Sequence, residues 1–424
     1  MSSFQLKFEF EDAGGVQGPE LASTWARLEI LLDGIAVTEL EDIRTKAVRS
    51  AVYAPLYPIA EWFAMNWWRI WFEDRAAWTA AGTRTHSLRK AEEGFALPDL
   101  ALLPSGRSMQ LLSTPYTHQH AAVRFLQVTS AFVGKRAAMD QVGALVEGVL
   151  ARVSDSTPLS QEWQRIAISL ASPDDREFCR AAGRLGLDPY AIDIDIGREI
   201  DRSLHDLPRS MRTDFFDSTP PATLRQEREP VVDFLSKAAN EQIPLKQSLP
   251  QAELLSGMTP WTAGYRHARQ VRETLQIADR IFSSPEDLLE HFGFAKPVVE
   301  TLWPTEHLDA VTAVSRNATP AFAVRGNLPA SRNFALCRAL GEFLFEPEPR
   351  LLTRQGESYR QKRSRAFAAE FLAPAAQLQH LIPPGATITQ DDCVEIASQF
   401  NVSPWVIEKQ ITNHQLATLV SPSF

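Results

Sequence analysis

The tightest constraint on this chain lies between residues 4 and 40, where apolar and polar side chains alternate. Phe4, Leu6, Phe8 and Phe10 fall on one side of an extended segment while Gln5, Lys7 and Glu9 fall on the other, the period of two that marks a half-buried strand. Leu28, Ile30 and Leu32 repeat the pattern, Asp33-Gly34 follows, and Ile35, Val37 and Leu40 continue it. Asp-Gly between alternating runs supplies the two positive φ angles of a tight hairpin turn. An N-terminal sheet is therefore predicted.

Pro58 suits the first turn of a helix, and Ile59, Trp62, Phe63, Trp67, Ile70 and Trp71 follow at three-to-four-residue spacing. One helix packed on the sheet follows from this spacing. Trp62, Trp67, Trp68 and Trp71 are also the residue type on which bases stack, but Arg69 is the single cation among them, so they are assigned to core packing. Leu100 to Leu103 and Met109 to Leu112, joined by Pro104-Ser-Gly-Arg107, predict a second hairpin, and Ala137 to Val153 an amphipathic helix.

From Ser160 the period changes to that of helices, with Ser160-Gln-Glu-Trp163, Arg176 to Leu185 and Ile196 to Leu204 as segments. The run Phe178 to Pro189 has the spacing of the first half of a helix-turn-helix. The following Tyr190 to Asp201 carries Asp193, Asp195, Glu199 and Asp201 against Arg198, whereas a DNA-reading helix wants basic and amide side chains. Residues 217 to 257, with Thr219-Pro220-Pro221, Glu229-Pro230 and Leu249-Pro250, have the composition of a connector interrupted by one helix at Val231 to Asn240.

With 424 residues, 44% hydrophobic and 22% charged, the chain has room for two or three domains, each with a core. A net charge of -9 argues against non-specific nucleic-acid binding. The chain has no apolar run long enough to span a membrane, and Met1 to Glu11 contains acidic residues and no hydrophobic signal core, so a cytoplasmic protein without membrane association is predicted. Cys179, Cys337 and Cys393 are an odd number at wide spacing, which predicts free thiols rather than a disulfide framework or zinc knuckle.

The third region opens with the helix Pro260 to Leu275, passes two short strands around Val311 to Val314 and Ala321 to Val324, and reaches Ala330 to Phe345, where Phe334, Cys337, Leu340 and Leu344 recur as on a buried helix. Arg332, Phe334, Leu336, Leu340 and Gly341 in that helix, Gln361 followed by Arg365-Ala-Phe-Ala-Ala-Glu-Phe-Leu-Ala-Pro374, and the closing Ile396 to Ile407 segment resemble, in order, three motifs of the ImmA/IrrE zinc metallopeptidases. The resemblance runs from Pro260 to the C-terminus. It implies a zincin-like domain whose active relatives cut bacterial repressors in stress, mobile-element or phage-defence regulation.

A peptidase of that kind needs two histidines one helical turn apart on one zinc ion, a glutamate beside the first as general base, and a third ligand from elsewhere. Aligned on the resemblance, this chain has Arg338 and Glu342 at the histidine positions, Ala339 at the base position and Gln361, or with a small shift Glu357, at the third. A guanidinium repels a cation and a methyl group accepts no proton, so no metal, cofactor or catalytic residue is assigned. Cys337 points elsewhere round the helix, and His307 and His380 have no tie to the groove. His118 and His120, spaced as same-face neighbours on a strand, lack a placed third ligand.

Arg338 and Glu342, at i and i+4, make either an ordinary helix pair or part of a metal-free replacement in which Arg338 holds Glu342 and a carboxylate such as Glu357 or Glu370. The chain is thus expected to be α+β, with an N-terminal sheet-and-helix domain over 1–158, a helical domain and connector over 159–250, and an ImmA/IrrE-like pseudo-metallopeptidase domain over 251–424. The expected function is non-catalytic binding of a protein or peptide partner. A DNA-binding transcriptional regulator and a metallopeptidase with an unrecognised metal site are the competing readings.

Overall fold

A computed structural model describes residues 2–13, 15–74, 79–250, 258–277, 279–295, 299–302, 305–326 and 328–420. The chain is mixed α and β with open sheets and divides into two compact units, Met1–Asp201 and Arg202–Phe424. Among the described residues no helix is long and apolar enough to cross a membrane.

The first unit begins with β1 (Phe4–Phe10), the short α1 (Pro19–Ser23), β2 (Trp25–Leu32) and β3 (Ile35–Ala36). β1 and β2 pair antiparallel from Phe4 with Leu32 to Phe10 with Ala26. Leu32 pairs with Ile35 across Asp33 and Gly34, whose φ angles of 50° and 81° are the positive pair that the sequence calls for. The hairpin is shorter than predicted: β3 ends at Ala36, and Leu40 belongs to β4 (Leu40–Asp42), which pairs with β5 (Val48–Arg49) and not with β2.

β6 (Val52–Pro55) returns to β2 and leads into α2 (Tyr57–Met65) and α3 (Trp67–Phe72). The single helix predicted here is two, because Asn66 leaves helical backbone at φ −112° and turns its side-chain amide onto the Trp62 carbonyl at 2.9 Å. The local hydrogen bond competes with helix continuation. Trp67, Trp68 and Trp71 are buried and Trp62 packs against the same core, in keeping with the packing assignment.

After α4 (Ala80–Thr85) come β7 (Asp99–Ser105) and β8 (Ser108–Thr114), the second predicted hairpin, then β9 (Tyr116–His118), β10 (Val123–Phe125) and β11 (Thr129–Gly134). β11-β8-β7 form one sheet and β5-β4-β10-β9 another. The rest of the unit is α5 (Lys135–Leu150), α6 (Pro158–Ala171) and α7 (Pro173–Arg184), with α8 (Ile194–Asp206) crossing the division between the units. Helix α7 lies close on α3: a Cβ built at Gly183 would stand 2.3 Å from the Trp68 carbonyl oxygen, so only glycine permits this approach. α7 covers most of the run likened to the first half of a helix-turn-helix, and α8, which follows it, exposes Asp195 and Asp201.

The second unit contains α9 (Arg209–Ser218) and α10 (Leu224–Asn240). α10 overturns the expectation of a connector with a helix beginning at Val231. It starts seven residues earlier and carries Pro230 in its interior, because Leu224, Glu227 and Arg228 are already buried and tertiary packing outweighs the lost backbone hydrogen bond. The end of that connector, 251–257, where the C-terminal domain was expected to begin, lies outside the described residues.

Beyond it come α11 (Pro260–Thr274), α12 (Pro285–His291), β12 (Val299–Thr301), β13 (Leu308–Val314), β14 (Pro320–Val324) and α13 (Pro329–Phe345). The chain ends with β15 (Arg350–Thr353), α14 (Tyr359–Leu372), α15 (Ala375–Leu381), β16 (Thr387–Ile388), α16 (Gln390–Phe400), α17 (Pro404–His414) and β17 (Thr418–Leu419). The main sheet has the order β12-β14-β13-β15, with β12 parallel to β14 and the remaining pairs antiparallel. α13 packs on this sheet and on α14, and α14 packs in turn on α11.

Candidate functional site

Helix α13 is buried along nearly its whole length, from Ala335 to Phe345. Its approach to α14 depends on Gly341, where an added Cβ would stand 2.3 Å from the Phe367 ring, and α14 meets α11 at Gly264, where a Cβ would stand 2.5 Å from the Arg363 carbonyl oxygen. Side chains on the polar stripe of α13 therefore meet α14 in a largely buried region.

Arg338 is 2% exposed. It donates from Nη1 to Asp309 Oδ2 at 2.7 Å, from Nη2 to Gln361 Oε1 at 2.8 Å and to the Thr353 carbonyl at 3.4 Å, and from Nε to Ser364 Oγ at 3.3 Å. Asp309 reaches it from a β-bulge: Leu308 and Ala310 pair with Thr353 and Leu352, leaving Asp309 as the extra residue on β13. Bulges re-aim a side chain in this way. Burial pulls the guanidinium below its ordinary value and Asp309 acts against that shift.

Gln361 completes the arrangement. Its Oε1 also accepts from the Thr353 amide at 3.2 Å, and its Nε2 donates to Asp214 Oδ1 at 3.2 Å and to the Leu351 carbonyl at 3.1 Å. Every hydrogen-bonding position of this fully buried amide is used. Asp214 in turn forms an ion pair with Arg360, whose guanidinium burial, with Arg363 nearby, brings down to about 10.

Glu342, 1% exposed, turns to a different partner. Arg363 donates to it as a fork, Nε to Oε1 at 3.0 Å and Nη2 to Oε2 at 2.8 Å, the geometry in which a buried pair is best satisfied. Burial pushes the carboxyl up, and the Arg363 fork opposes that push. Ala339 is 1% exposed within the apolar core and presents no proton acceptor.

The arrangement corrects one expectation. Arg338 does hold a carboxylate, but it is Asp309 and not Glu342, Glu357 or Glu370. Glu357 precedes α14 on the surface, paired with Lys362 at 3.2 Å and Arg365 at 3.4 Å. Glu370 sits on the side of α14 that faces α11 and α17, held by Arg269 at 2.7 Å, Gln410 at 2.8 Å and His414 at 3.2 Å. Burial alone would raise Glu370; these hydrogen bonds outweigh it and hold the carboxyl below its ordinary value.

The other candidate ligands are scattered. Cys337 is fully buried on the apolar side of α13, and burial raises its thiol. His307 adjoins β13 and His380 is exposed at the end of α15. His118 ends β9 and His120 follows in the turn, their rings 6.2 Å apart. Among the described residues no group of three or more His, Cys, Asp and Glu is placed to hold a metal.

Sequence reasoning missed Asp309, Arg363, Ser364 and Asp214. An acidic residue near the start of the buried strand Leu308 to Val314 was the available signal for Asp309. Arg363, Phe367 and Phe371 at helical spacing placed an arginine on the buried stripe of α14. Also unforeseen was His267, 2% exposed, with neither ring nitrogen hydrogen-bonded among the described residues and its ring 3.8 Å from that of Phe345. Burial, and then the Arg363 charge, pull this imidazole down to about 3.

On the outer side of Arg338 opens a cavity of about 840 Å³, lined among others by Asp309, Arg325, Arg354, Ser331 and Trp405. Comparison of the chain with protein-family models, with curated proteins and with solved structures gives no match.

Proposed function

We propose that the segment from Pro260 onward is a zincin-like domain of the ImmA/IrrE kind that has lost hydrolysis, and that the protein acts by binding a protein or peptide partner. The setting implied by the resemblance is bacterial stress, mobile-element or phage-defence regulation in the cytoplasm. One observation carries the reading: Arg338 and Gln361, placed by the resemblance at the first-histidine and third-ligand positions, meet directly at 2.8 Å. Two residues 23 apart in sequence converge where a zinc ion would draw its ligands together, and the guanidinium supplies the positive charge. Glu342, at the second-histidine position, is engaged by Arg363, and Ala339 offers no general base.

The test is metal content of the purified full chain by inductively coupled plasma mass spectrometry after dialysis against chelator-free buffer. Zinc, iron and manganese far below one per chain support the reading. About one zinc per chain overturns it and restores the metallopeptidase alternative. Because a fold alone does not fix function, the binding role needs its own measurement, and the cavity beside Arg338 is where it begins.

A further inference from the structure

The cavity beside Arg338 has an electrostatic character unlike that of the chain as a whole. Arg325 follows β14 and donates its amide to the Asp309 carbonyl at 2.8 Å, while Arg354 follows β15 and donates its amide to the His307 carbonyl at 3.1 Å. They flank the start of β13 on opposite sides, Arg325 beside Asp309 and Arg354 beside His307. Both residues line the cavity, and neither side chain has a hydrogen-bond or ion-pair partner among the described residues. Asp309, the one carboxylate on the wall, is neutralised by Arg338 at 2.7 Å. The wall therefore carries an excess of two positive charges in a protein of net charge -9.

Two further features point the same way. Ser331 and Ser403 line the cavity, their hydroxyls with no partner among the described residues, and α13 and α17 both begin at its wall without a side-chain cap on their first amides. Trp405, half exposed and with Lys409 Nζ 5.7 Å from its ring centroid, adds an aromatic ring to the lining. A volume of about 840 Å³ is within the range of small-molecule sites.

We propose that this cavity binds a small phosphorylated ligand carrying a planar ring, a free mononucleotide being the simplest member of the class. Arg325 and Arg354 take the phosphate from two sides, as paired guanidinium groups do for a multiply charged anion, and the ring stacks on Trp405. The proposal rests on the reading of this groove as a binding site without hydrolysis, and it gives that site a small-molecule regulator beside its protein partner.

The experiment is isothermal titration of the full chain with AMP, GMP, CMP and UMP, with ribose 5-phosphate, and with a 5′-phosphorylated single-stranded tetranucleotide. At least one mononucleotide is expected to bind saturably with Kd below about 1 mM. Ribose 5-phosphate is expected to bind about tenfold more weakly, and Trp405→Ala to remove that difference. Arg325→Ala and Arg354→Ala each weaken binding about tenfold or more, while the lysine variants at both positions retain part of it. Circular dichroism of each variant establishes that it is folded.

The proposal is overturned if no mononucleotide binds saturably, if binding ignores both arginines, or if the tetranucleotide binds more tightly than every mononucleotide, since the end of a strand would then be the ligand. Zinc analysis of the same sample separates the two ideas. Zinc-loaded protein that binds a nucleotide through Arg325 and Arg354 defeats the non-catalytic reading alone; metal-free protein that binds none defeats only this one.

Discussion

Each of the two units contains a buried helix, and the two helices are stabilised by opposite means. In the first unit, α3 buries Trp67, Trp68, Ile70 and Trp71, with Trp67 packed edge-on against Trp71 at 5.6 Å and Trp163 at 5.1 Å. In the second, α13 buries Arg338 and Glu342 beside Leu336 and Leu340. Each helix is approached through a glycine, Gly183 against α3 and Gly341 within α13. An apolar helix is stabilised by area and shape, and losing a side chain leaves a cavity. A helix that buries charge is stable only while every partner is present, because a single deletion leaves an uncompensated ion in the interior. The contrast predicts that α13 is coupled to pH and to specific partners in ways α3 is not.

The largest effect should come from Arg338→Ala, which strands Asp309 and Gln361. Its expected cost is about 3–5 kcal/mol, read as the shift in chemical denaturation together with lost exchange protection of the α13 amides. Trp71→Ala should cost a similar amount, about 3–5 kcal/mol. The two differ in coupling: adding Asp309→Ala should recover part of the Arg338→Ala loss, with a coupling of about 0.5–3 kcal/mol. Strict additivity, or an unchanged denaturation midpoint for Arg338→Ala, would break the comparison.

Acid should act next. His267 takes up a proton near pH 6.5 when unfolded but only at about 3 when folded, so the unfolded chain binds more protons between those values. Stability contributed by the neutral imidazole is complete above pH 6.5 and is lost as pH falls toward 3, amounting to about 2 kcal/mol at pH 5. His267→Phe fills the same space against Phe345 and Phe367 and should flatten the stability profile between pH 7 and 5. An unaltered slope would locate the acid sensitivity elsewhere.

The smallest effect belongs to Glu357. Its pairs with Lys362 and Arg365 lie at the surface, and exposed pairs contribute at most about 1 kcal/mol. Glu357→Ala should shift the melting temperature little. A loss approaching that of Arg338→Ala would return Glu357 to the buried network.

Local patterns were legible where one residue type answers one physical need. The Asp33-Gly34 turn could be placed because few residues accept two positive φ angles, and the strands around it because a shift of one residue would expose an apolar face. The break at Asn66 escaped because the apolar spacing runs through it unchanged and an amide hydrogen bond alone ends α2. Pro230 was taken as a boundary because proline is costly inside a helix, yet the turn before it is anchored by the buried Glu227, which accepts the Glu306 amide at 2.7 Å and the His307 amide at 3.2 Å.

The candidate site divides the same way. By itself the sequence determined that Arg338, Ala339 and Glu342 share one buried helix and that neither the arginine nor the alanine can serve as a zinc ligand or general base. Side-chain chemistry and helical period are local properties, readable from spacing. Tertiary structure alone decided that Arg338 pairs with a bulged Asp309 and meets Gln361, that Glu342 pairs with Arg363, and that Arg325 and Arg354 come together around one cavity. A buried charge pairs with the opposite charge that packing brings within about 3 Å, and that distance is set by how strands and helices stack, which the separation of residues along the chain does not encode.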